Sequence, residues 1–268
     1  MPKNRQSSGF GFGSIADRKY RDPDAKAVLG KGLPNNIQAD KVIDVALAVK
    51  ELTGAEGLIA FGLRSTFLAE AEKEAGGDAS RIEVKDHDFV CGAHDGINSR
   101  GEIIDRLSEA AKNGEIDNLK IASDKENPKK DGEIIAAIMF EHDGRPIDLK
   151  IVLGPVTAQQ MAVYGDAPIN CIAFDVDKPE DVYMHPRTEE DLKNKVWTVR
   201  VKEAHEIDAS VSRHAEVSRR PGNEGLLLSK YGNLAAPNAE APQQTQSGRK
   251  LLSLPRNRKK PDGSQGPK

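Results

Sequence analysis

At 268 residues, 37% of them hydrophobic and 30% charged, the chain is long enough to bury one full core and to leave room for a small second unit. No run of about 18 apolar residues occurs, which excludes a membrane-spanning helix. Two cysteines, Cys91 and Cys171, without CxxC or His/Cys spacing argue against a disulfide framework and against a zinc site.

The net charge of -3 conceals a split. Acidic residues crowd the middle, while Lys3, Arg5, Arg18, Lys19 and Arg21 lie at one end and Arg256, Arg258, Lys259 and Lys260 at the other. Basic ends of this kind reach for phosphate backbones or simply keep polar segments soluble. The N-terminus lacks a charged-then-apolar leader pattern, so with reduced thiols a cytoplasmic setting is expected.

Residues 1–36 read as a disordered or loosely attached segment, marked by Gly9-Phe10-Gly11-Phe12-Gly13. Residues 37–201 read as one domain. A helical stripe through Val42, Ala46 and Val49 comes first, then a buried strand over 57–61, a turn at Gly62 and a helix over 64–74. A strand over 82–91 and a helix over 102–112 follow. Apolar stretches at 134–140 and 146–153 flank Asp143-Gly144, a hairpin signal. A short helix at 158–164, a strand at 169–176, a helical turn at 188–195 and a strand at 196–201 complete the order. Residues 202–268 read as a short helix or linker and a disordered basic tail, interrupted by Leu226-Leu227-Leu228 and Leu251-Leu252. This order predicts an α/β (α+β) fold: a mixed sheet with helices mainly on one face.

The chemistry concentrates in Val84-Lys85-Asp86-His87-Asp88-Phe89-Val90. Residues two apart in a strand share a face, so Asp86 and Asp88 project together and repel unless a cation stands between them. Asp22/Asp24 and Asp175/Asp177 repeat the spacing, but only Asp86/Asp88 lies in a strand-like frame after a strand–Gly–helix unit. In Ile147-Asp148-Leu149-Lys150-Ile151 the alternation turns Asp148 and Lys150 together, away from the core. Two readings of Asp148 stay open here. It pairs with Lys150, or it joins Asp86 and Asp88 to hold two Mg2+ or Mn2+ ions for phosphoryl transfer. Gly62, Arg64, Ser65 and Thr66 at the start of the next helix would cradle a triphosphate, or form an ordinary capped turn. His87 falls on the opposite sheet face, and Cys91, Cys171 and Trp197 read as core.

With these pieces in order, the stretch from Leu58 to Val201 resembles the head domain of poly(A) polymerases and CCA-adding enzymes, within the polymerase-β-like nucleotidyltransferases. The matching segments are Ala60-Phe61-Gly62-Leu63-Arg64-Ser65, Asp86-His87-Asp88-Phe89-Val90, Gly165-Asp166-Ala167-Pro168-Ile169-Asn170-Cys171-Ile172-Ala173, Asp191-Leu192-Lys193-Asn194 and Val196-Trp197-Thr198-Val199. The resemblance implies a nucleotidyltransferase fold and transfer of a nucleoside monophosphate from ATP or another nucleoside triphosphate to a hydroxyl, as in RNA processing. It implies metals at Asp86 and Asp88, and Asp166 and Asn170 near the incoming nucleotide. Asp148 is the candidate to take the acceptor proton. Gly165 stands where the family carries an arginine. The family's large helical RNA-gripping body has no counterpart after Val201, so RNA grip is expected from a partner protein, from the tails, or not at all. Two further readings remain: a nucleotide- or RNA-binding module without turnover, and a transferase acting on a small molecule or protein.

Overall fold

Asn36 starts the first long helix because its Oδ1 accepts from the amides of Gln38 and Ala39 at 3.1 and 3.0 Å, and Gly54 ends it in the left-handed region at φ +65°. The computed structural model describes residues 25–94, 96–124, 131–200 and 204–229, all within one compact unit. In chain order these form β1 (Val28–Leu29), α1 (Ile37–Thr53), β2 (Ile59–Phe61), α2 (Arg64–Glu74), β3 (His87–Ala93), α3 (Arg100–Lys112), β4 (Asp117–Asp124) and β5 (Ile134–His142). They continue as β6 (Arg145–Leu153), α4 (Ala158–Met161), β7 (Ile172–Asp175), β8 (Lys178–Met184), α5 (Thr188–Lys193), β9 (Val196–Thr198), α6 (Ala204–Val217) and β10 (Leu227–Ser229).

Eight strands make one mixed sheet in the order β1-β8-β7-β2-β3-β6-β5-β4. Neighbours run antiparallel except β3 and β6, which are parallel at its centre. β9 and β10 pair in parallel as a separate ribbon. The β5–β6 hairpin closes on Asp143 and Gly144, both at positive φ, as the two-residue turn demands.

Alternation along the central strands divides the apolar residues between two clusters. Ala60, Phe89, Cys91, Leu149 and Ile151 join the larger cluster with residues of α1, α2, α3, α5 and α6. Ile59, Phe61, Val90 and Val152 join a smaller cluster with Ala158 and Met161 of α4. The helices therefore lie mainly on one face, as the pattern predicts. Among the described residues no helix is long and apolar enough to cross a membrane.

Several boundaries differ from expectation. The strand expected from 82 begins at His87, because β2 is only three residues long and pairs with Asp88–Val90 alone. On the other side β6 begins only at Arg145, so residues 82–84 lie beyond its end in the register. β4 and β8 were not expected, since both lie at or near sheet edges and their sequences are polar. α6 carries Ile207, Ser210, Val211, His214 and Val217 at helical spacing. Within the segment expected to be loosely attached, β1 pairs with β8 through Val28 and Met184. The glycine-rich stretch at 9–13, the leucine pair at 251–252 and both basic ends lie outside the described residues.

Candidate active site

The candidate residues meet where β2 ends. Phe61, the last residue of β2, is the register partner of Asp88 on β3, and Asp88 is the register partner of Asp148 on β6. The three side chains stand in one row on the sheet face that carries the smaller cluster. Gly62 then turns the chain at φ +74°, and a Cβ there would stand 3.1 Å from Oδ2 of Asp88. The left-handed φ favours glycine there, and a side chain would press on the Asp88 carboxylate. A groove of about 800 Å³ opens at this end of the sheet and is lined by residues of β2, β3, β6, α2 and α6.

Lys150 determines the electrostatics of the row. Its Nζ lies 2.9 Å from Oδ2 of Asp148 and 3.7 Å from Oδ1 of Asp88, and its side chain is only 4% exposed. The same ammonium sits 5.5 Å from the centre of the Phe61 ring. Burial alone would pull this ammonium down, but Asp88 and Asp148 outweigh it and hold Lys150 above the ordinary lysine value. Burial pushes the Asp88 carboxyl up to about 7; Lys150 opposes the shift, and Asp148 and Asp86 add to it. Asp86 precedes the strand and is exposed at the groove. His87 is buried on the opposite face, and burial, then Arg145, lowers it to about 4.

Both readings of Asp148 meet in this geometry: it stands beside Asp88, and it is paired with Lys150. A resident two-metal centre would need Asp88 and Asp148 to turn oxygens onto one ion, and Lys150 holds the space between them. The residues do not fit that centre. Among the described residues no group of three or more His, Cys, Asp or Glu side chains is arranged to hold a metal ion.

Beyond Gly62, Arg64 opens α2 with its guanidinium buried against Trp197, 5.7 Å from the ring centre. Its Nη1 donates to Oδ1 of Asn170 at 3.0 Å, while its Nε has no hydrogen-bond partner. Burial lowers Arg64 to about 10, and Arg220 adds to the shift. Ser65 is half-buried at the groove. Thr66 is fully buried, and its carbonyl accepts from Nδ2 of Asn36 at 3.2 Å, tying α2 to the start of α1. Neither hydroxyl caps the helix.

Asp166 does not line the groove. It is buried, accepts from Nη1 of Arg213 on α6 at 2.8 Å, and receives a longer contact from Nδ2 of Asn170 at 3.4 Å. Its place is to hold Asn170, which in turn holds Arg64. Arg213 and Arg220 line the groove and were missed in the sequence, because the segment after Val201 reads only as a short helix or linker with no site residue in it. The helical spacing of Ile207, Val211 and His214 was the available signal. Trp197 fastens α6 in place, its Nε1 donating to Oγ of buried Ser210 at 3.0 Å.

No protein-family model matches this chain, and no curated protein does. Among solved structures it is similar to the CCA-adding enzyme of Thermotoga maritima complexed with tRNA, with a TM-score of 0.36 and 16% sequence identity over 67% of this chain and 39% of that one. The chain thus spans about two-fifths of the length of the structure it matches.

Proposed function

We propose that the groove takes a nucleoside triphosphate and that the chain transfers its nucleotidyl group to a hydroxyl acceptor. The observation that carries this reading is that Asp88 and Arg64 flank one glycine turn and both line the same groove. A guanidinium lining the groove beside the glycine turn favours an anion, and phosphate oxygens are suited to it. Arg213 and Arg220, in the same wall, add positive charge for the remaining phosphates.

In the proposed reaction the acceptor oxygen forms a bond to the α-phosphorus. The α–β phosphoanhydride bond breaks and pyrophosphate leaves with the bonding pair. The acceptor proton goes to a carboxylate. Asp88 suits that task better than Asp148, since its carboxyl is pushed up to about 7 while an Asp148 oxygen is held by Lys150. Magnesium or manganese accompanies a triphosphate in solution as part of the substrate, and exposed Asp86, with the Asp88 oxygen that does not take the proton, is left to meet it. RNA is the acceptor we propose, following the sequence resemblance, with a partner protein supplying the grip. A cytoplasmic setting goes with this reading.

A second reading is favoured by Lys150: with the carboxylates already neutralised, the groove binds nucleotide without turnover. Incubation with each α-labelled nucleoside triphosphate, Mg2+ or Mn2+, and RNA separates the two. Label transfer that disappears in Asp86→Ala and Asp88→Asn supports the transferase. Nucleotide binding with no pyrophosphate release supports the module, and no binding at all overturns both.

A further inference from the structure

The position of Lys150 has a consequence for how many ions the site takes. We infer that Lys150 is a built-in counter-ion standing where a two-metal centre would hold one of its ions, so that the nucleotide-loaded site takes one divalent cation per chain and holds it without Asp148. This rests on the proposed nucleotide-binding reading and adds a stoichiometry to it.

An ion shared by Asp88 and Asp148 would lie about 2.0–2.1 Å from an oxygen of each. Lys150 Nζ already stands 2.9 Å from one and 3.7 Å from the other, so ion and ammonium would compete for one gap. The ammonium has no easy way out. Lys150 is paired in register with Val90 on one side and Ala137 on the other, in the middle of the sheet. Its stem is almost wholly buried, with Phe61 across the row. Swinging the head to solvent would strip the stem of its packing and leave two carboxylates facing each other. Asp148 is then the partner of Lys150, and the acidic groups left for a divalent cation are Asp86 and Asp88. A fixed monovalent charge differs from a second metal in one way that can be counted: it does not exchange.

The test counts Mn2+ bound per bound nucleotide on the full chain. Equilibrium dialysis against a non-hydrolysable α,β-methylene ATP is read by electron paramagnetic resonance. The expected result is one Mn2+ for the natural sequence and two for Lys150→Met. Two ions in the natural sequence, none, or one in both proteins overturns the inference. Should Lys150→Met fail to fold, Asp148→Asn decides: it is expected to keep one ion with affinity changed less than about threefold, whereas Asp88→Asn weakens it more than about tenfold. Loss of the ion in Asp148→Asn overturns the inference. The underlying reading fails separately, by absence of nucleotide binding in the same cells.

Discussion

Asp88 of β3 and Asp148 of β6 are register partners in the parallel pair at the centre of the sheet, and both contact the ammonium of Lys150. Two carboxylates so placed repel, and the lysine makes the row stable in a folded chain. The first two predictions concern this charge balance.

Asp88 makes folding stability depend on pH with a definite sign. Its carboxyl is raised from an ordinary 3.8 to about 7, so between those values the folded chain holds a proton that the unfolded chain has released. Its contribution is therefore fully present below about 4, declines as pH rises toward about 7, and is flat above. Asp88→Asn removes this component. Urea denaturation at pH 5 and pH 8 should show the natural sequence losing about 2–4 kcal/mol relative to the variant across that interval. Asp191, raised to about 6, and His87, lowered to about 4, titrate in both proteins and cancel in the difference. A difference that does not change with pH would show that Asp88 is ionised throughout.

Lys150→Met should shift the Asp88 titration upward, past 7, because a cation that contacts both carboxylates is gone. Carboxyl carbon NMR reads this directly. At pH 8 the substitution is expected to cost about 3–5 kcal/mol, and less at pH 6, where Asp88 can take a proton. An equal cost at both pH values would mean that the loss is one of packing.

Gly62→Ala tests the turn. A left-handed φ of +74° costs an alanine about 1–2 kcal/mol, and the new Cβ would press on Oδ2 of Asp88 at 3.1 Å. Urea melts should show that loss, and calorimetry should show weakened nucleotide binding, since Asp88 must move. Unchanged binding in a destabilised protein would detach Asp88 from the nucleotide.

Arg64→Lys keeps the charge and gives up the planar fork that bonds Asn170 beside the groove. Triphosphate affinity should fall about tenfold, an effect of about 1.4 kcal/mol. Melting temperature should move little, because the cation still faces Trp197. Adenosine affinity should stay the same. A parallel loss for adenosine and ATP would place Arg64 away from the phosphates.

Much of the site was readable from local spacing. The two-residue period turned Asp148 and Lys150 together, and the glycine after β2 marked the close approach, whereas Asp86 precedes β3 and falls outside the strand frame read for it. Period is a local property, written in consecutive residues. Adjacency is not: that β6 lies beside β3, runs parallel to it and aligns Asp148 with Asp88 follows from pairing between segments far apart in the chain. That register, rather than any motif, turns Lys150 from a surface lysine on a half-buried strand into a buried cation between two carboxylates. In the same way, the return of α6 onto Trp197 brings Arg213 to Asp166 and Arg220 to the groove, from a segment whose composition reads as a short helix or linker.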